Sequence, residues 1–107
     1  MNDKGVSDEE LDAQYRAMID TFIDMANKHA ETNSPENVGM ALLFAASRFN
    51  AFVVSQHAES LADYERDLQK AKSFFSNQYL EMLNENLDDY KKVYEKYFQF
   101  TQENTKN

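Results

Sequence analysis

The feature of this sequence that most restricts its fold is the scarcity of residues that interrupt helices. The 107-residue chain contains two glycines and one proline, and neither residue type occurs between Leu61 and the C-terminus. Glycine and proline are the strongest breakers of regular structure, whereas the abundant alanine, leucine, glutamate and lysine favour helices. The composition therefore predicts an all-α protein, and the length allows one domain with one modest core.

Three serines mark the predicted helix starts. Ser7 and Glu10 form an S-x-x-E capping box, Ser34 precedes a proline that suits the first helical position, and Ser60 begins the third helical pattern. Apolar residues at helical spacing follow each start. We therefore predict a three- to four-helix bundle in one domain, residues 1–107, with helices at about 8–31, 35–57, 61–84 and 87–101 and disordered tails at 1–6 and 103–107.

The apolar pattern that begins at Leu61 continues for about 40 residues, which is roughly 60 Å as one helix, against roughly 30 to 36 Å for each of the first two. Such a helix would extend past its partners with an exposed aromatic stripe. Either the helix breaks or bends at Asn84–Asn86, or it is continuous and pairs with another subunit. We favour the break or bend, with the last helix contributing a dimer contact. The expected interface residues are Tyr90, Tyr94, Tyr97 and Phe98.

Residues 35–57 form the most apolar stretch, and its apolar residues occupy more than one helical face. A helix of this kind must be covered on more than one side. Arg48 and Asn50 lie inside this stretch, and burying a guanidinium without a carboxylate partner is costly. An internal salt bridge that fixes packing or subunit register is the favoured explanation, and a binding site for an anionic ligand at Arg48 and Asn50 is the alternative.

No catalytic residue, metal site or cofactor is predicted. The chain has no cysteine, and neither His29 nor His57 belongs to a Glu-x-x-His or H-E-x-x-H pattern. The only glycines, Gly5 and Gly39, do not form a phosphate-binding loop. These absences favour a protein without enzymatic activity.

The net charge of −8 and the pI of about 4.6 argue against nucleic-acid binding, because an acidic surface repels phosphates. The first residues lack the basic and apolar pattern of a secretory signal. The longest apolar run, residues 40–46, is shorter than the roughly 20 residues of a spanning helix. We expect a cytoplasmic protein with neither a nucleic-acid nor a membrane partner.

The run Ala45-Ala46-Ser47-Arg48-Phe49-Asn50-Ala51-Phe52 carries a resemblance to a known family. With the later stretch around residues 79–90, the chain resembles a family of small, uncharacterised proteobacterial proteins, a domain-of-unknown-function family with a central A-A-x-R-F-N-A-F run. The resemblance implies a short, soluble, helical bacterial protein and assigns no role to any residue.

The expected function is that of a non-enzymatic helical protein that acts through protein–protein contacts, as a homodimer and with an unidentified protein as a further candidate partner. A helical bundle that binds or converts an anionic small molecule at Arg48 and Asn50 is the alternative. A weaker alternative is an acidic inhibitor of a nucleic-acid enzyme.

Overall fold

A computed structural model describes the backbone of residues 7–105 and the side chains of residues 7–98. It contains three helices, α1 (Asp8–His29), α2 (Pro35–His57) and α3 (Leu61–Thr105), and residues 7–105 include no strand. The predicted all-α class is confirmed. The predicted tail at residues 1–6 lies outside the described residues, as do residues 106–107 of the predicted tail 103–107, whereas residues 103–105 belong to α3.

Each helix begins at a serine whose side chain satisfies a free backbone donor. The hydroxyl of Ser7 accepts a hydrogen bond from the N–H of Glu10 at 3.1 Å. The hydroxyls of Ser34 and Ser60 accept the corresponding hydrogen bonds from the N–H groups of Asn37 and Asp63, also at 3.1 Å. The first N–H groups of a helix have no partner within it, so each serine supplies one. The three predicted helix starts are confirmed.

The chain divides into two compact units, residues 1–53 and 54–107. In the first unit, α1 and most of α2 are joined by a five-residue connection, 30–34. The amide of Asn33 donates to the carbonyl oxygen of His29 at 2.9 Å, which supplies a partner to one of the last carbonyls of α1. The second unit contains the last turn of α2 and all of α3.

The predicted break at Asn84–Asn86 is wrong, because α3 continues through these residues without interruption. Asparagine inside a helix costs at most about 0.7 kcal/mol relative to alanine, and its neighbours here are the strong helix formers Leu83, Glu85 and Leu87. The two asparagines are therefore too weak to end the helix. With 45 residues, α3 is about 68 Å long, against about 33 Å for α1 and about 35 Å for α2.

None of the side chains described in residues 7–98 is buried. On α2, the side chains of Met40, Phe44 and Phe49 remain about two-thirds exposed. The sequence predicted that other parts of the protein would cover this helix on more than one side, and the structure does not show such cover for these residues. Large apolar side chains normally lose most of their exposure on folding. The apolar surface of this chain is therefore available for contacts outside it.

We predict that replacing a capping serine, in Ser34→Ala or Ser60→Ala, lowers the free energy of unfolding by about 1 kcal/mol, because a helix donor loses its partner. Urea unfolding followed by circular dichroism measures this loss. Ser47→Ala is the matched control, since the Ser47 hydroxyl donates to the Phe44 carbonyl inside α2 at 2.8 Å and caps nothing. Equal losses in cap and control variants would contradict the assignment of the caps.

Candidate protein-interaction surface

The second half of α3 carries an apolar row that no described residue buries. The row has alternating steps of three and four residues, and its side chains are 36% to 73% exposed. At 100° per residue, its members fall within an arc of about 100° on one face of the helix. We call this row the tail stripe, and it consists of Leu80, Leu83, Leu87, Tyr90, Tyr94 and Tyr97.

Three of the residues predicted as interface belong to the tail stripe, namely Tyr90, Tyr94 and Tyr97, and they are its most exposed members. Phe98 is next to the stripe and is 63% exposed. The three leucines were missed in the sequence because the favoured break at Asn84–Asn86 divided them from the tyrosines. The signal that identifies them is the unbroken alternation of three- and four-residue steps across those asparagines.

Most charged residues of the same segment lie on the opposite face of α3, and Lys91 lies beside the stripe. Residues 81–89 contain four acids and no base, whereas residues 90–98 contain three lysines and one glutamate. The structure gives these charges no ion pair with any side chain in residues 7–98; the recorded ion pairs join Arg66 to Asp63 and Asp67. The segment is therefore amphipathic across its width and polarised along its length.

An open cleft of about 530 Å³ lies between α1 and α2 within the first unit. Its lining is mainly apolar and includes Phe22 and Met25 of α1 with Val38 and Leu42 of α2. His29 is its one titratable side chain.

The structure places Arg48 on the surface and leaves Asn50 half-buried. Among residues 7–98, Arg48 has no ion pair, and neither side chain has a recorded hydrogen bond to another described residue. Neither residue lines the cleft between α1 and α2. Residues 7–98 therefore provide neither the internal salt bridge nor an enclosed anion site around this pair.

The described residues contain no group of three or more histidine, cysteine, aspartate or glutamate side chains placed to hold a metal ion. His29 lies in the cleft at the end of α1, and His57 is the last residue of α2.

By length and composition, α2 qualifies as a candidate membrane span, the one such helix in the described part of the chain, with a mean hydropathy of 1.5. The longest unbroken apolar run did not indicate this property, because a single polar residue such as Ser47 ends a run but hardly changes the mean hydropathy of a whole helix. A core helix of a soluble protein passes the same test, so the finding is weak evidence for a membrane.

Comparison with known proteins identifies a family. The profile of the family DUF3144, described as "Protein of unknown function", matches residues 15–91, which include all of α2 and the first part of the tail stripe. The chain belongs to the DUF3144 family. Neither the curated proteins nor the solved structures give a match.

We predict that Arg48→Ala changes the free energy of unfolding by less than about 0.5 kcal/mol, because an exposed and unpaired side chain contributes little to stability. Urea unfolding measures this change in the free energy of unfolding, and Arg66→Ala is the control. Arg66 forms an ion pair with Asp63 at 3.0 Å but is 67% exposed, so its loss is also small, about 0.2 to 1 kcal/mol. A loss of several kcal/mol in Arg48→Ala would contradict this prediction and indicate a buried partner.

Proposed function

We propose that this member of the DUF3144 family is a non-enzymatic, cytoplasmic helical protein that acts through protein–protein contacts, and that a second copy of the chain is its first partner. The observation that carries the proposal is the exposed tail stripe on α3. We also propose that the chain is of proteobacterial origin and that its family shares the A-A-x-R-F-N-A-F run at residues 45–52.

The lengths of the helices support association through α3. A helix of about 35 Å can lie along only about half of a helix of about 68 Å, so neither α1 nor α2 is long enough to cover the tail stripe together with the first half of α3. Ordering each residue costs roughly 1 to 2 kcal/mol, and apolar burial is the main term that offsets this cost. A second chain supplies the missing burial.

The area of the tail stripe suits a second copy. At roughly 200 Å² for each aromatic side chain, the three tyrosines, exposed at 67% to 73%, leave about 400 Å² uncovered. The three leucines add roughly 200 Å². Two stripes packed together would bury at most about 1,200 Å², which is the lower end of the range of about 1,200 to 2,000 Å² for stable protein interfaces.

Neither alternative function gains support from a particular observation. An anionic ligand at Arg48 and Asn50 would need an enclosed polar site, and the cleft of the first unit is lined by other residues. An acidic inhibitor of a nucleic-acid enzyme would need a contiguous acidic surface, whereas Lys91, Lys92 and Lys96 interrupt the acids of α3.

The proposal assigns α2 to contacts with protein rather than lipid, because Arg48 lies near the middle of the helix. An arginine at the centre of a membrane span costs about 2.5 to 3.5 kcal/mol. We predict that the purified protein remains soluble without detergent and does not float with phosphatidylcholine–phosphatidylglycerol vesicles in a density gradient. Recovery with the vesicles would contradict this part of the proposal.

Light scattering tests the dimer. We predict a mass of about twice 12.5 kDa at micromolar concentration. Leu87→Glu should reduce the mass to that of one chain, because it places an unpaired charge in the apolar stripe. Met82→Glu is the matched control, since Met82 is similarly exposed but lies about 110° from the centre of the stripe, and it should leave the mass unchanged.

A wild-type chain that is monomeric at micromolar concentration would contradict the proposed dimer. Loss of the dimer in Leu87→Glu and Met82→Glu alike would instead assign the contact to a different surface. Far-UV circular dichroism of both variants should match the wild type, because both positions are exposed and glutamate is a good helix former.

A further inference from the structure

The tail stripe has the same spacing when it is read in either direction. Its steps are three, four, three, four and three residues, so a reversed copy matches it position by position. Its side chains are not symmetric, however, because the first three are leucines and the last three are tyrosines. The two possible orientations of a paired copy therefore place different side chains opposite each other.

A parallel pair would place each tyrosine opposite the same tyrosine and each leucine opposite the same leucine, which gives three narrow layers followed by three wide layers. An antiparallel pair places one leucine opposite one tyrosine in every layer, so that all layers have similar volume. Each tyrosine can then extend across a shorter leucine, with its apolar ring covered and its hydroxyl in water.

The charges of the segment favour the same orientation. Residues 81–89 carry four negative charges, and residues 90–98 carry three positive charges and one negative charge, a net of +2. A parallel pair would place the acidic halves side by side and the basic halves side by side. An antiparallel pair places the acidic half of each copy alongside the basic half of the other copy, which avoids this repulsion between like charges.

We infer that two copies of this chain pair through their tail stripes in antiparallel orientation, about a two-fold axis located between residues 88 and 89. In this register Leu80, Leu83 and Leu87 pack against Tyr97, Tyr94 and Tyr90 of the second copy. The inference rests on the proposed dimer and adds the orientation, the register and the partner of each side chain. A two-fold axis makes the contact isologous, so it closes at two copies.

Distances between spin labels test the orientation, and the natural chain suits the method because it contains no cysteine. Glu81→Cys, Asp88→Cys and Glu95→Cys each place one label on the exposed polar face. These positions are seven residues apart and therefore point in nearly the same direction around the helix. Pulsed dipolar spectroscopy then reports the distance between the two equivalent labels of each dimer.

An antiparallel pair predicts a distance that is shortest at residue 88 and longer at both 81 and 95. With a rise of 1.5 Å per residue, equivalent labels are offset along the axis by about 20 Å at residues 81 and 95 and by about 2 Å at residue 88. A parallel pair would give three nearly equal distances. Light scattering of the same labelled proteins establishes independently whether each is a dimer.

The outcomes separate this inference from the proposal on which it rests. Equal distances at the three positions in a dimeric protein would overturn the antiparallel orientation and leave the dimer intact. A dimer without a measurable dipolar interaction at any position would overturn the tail stripe as its contact. A monomer in light scattering would overturn both, and the stripe would then belong to a different protein partner.

Discussion

The difference in length between α3 and the two shorter helices is the constraint on which the rest of this structure depends. A continuous helix of 45 residues exposes a long apolar surface, and α1 and α2, with 22 and 23 residues, are each only about half its length. Water penalises the remaining apolar area, so the free energy of the chain falls when a further surface covers it. The proposed association thus follows from the difference in helix length.

The tail of α3 combines two patterns that serve different purposes. The apolar row across the helix supplies contact area, and the division into an acidic and a basic half along the helix supplies direction. Apolar contact alone does not distinguish strongly between orientations, whereas opposed charges do. A surface that combines both features is typical of a specific protein contact, and a charge-polarised segment of this kind is best matched by its own reversed copy.

Much of the local structure could be predicted from single residues. Ser7, Ser34 and Ser60 identified the helix starts because a capping hydroxyl acts on a donor only three residues away. The break at Asn84–Asn86 was predicted wrongly because the prediction rested on a packing argument, namely that a helix extending past its partners would be unfavourable. The intrinsic cost of two asparagines is small, and that local term decided the outcome.

By itself the sequence determined the all-α class, the helix starts and the aromatic side of the last segment, since these depend on residues within one or two helical turns of each other. The weak local effect of Asn84 and Asn86 also left Leu80, Leu83 and Leu87 in one helix with the tyrosines. Only the tertiary structure decided that Arg48 lies on the surface and that no described side chain is buried. Exposure depends on which elements cover a residue, and that is a property of the whole fold rather than of local spacing.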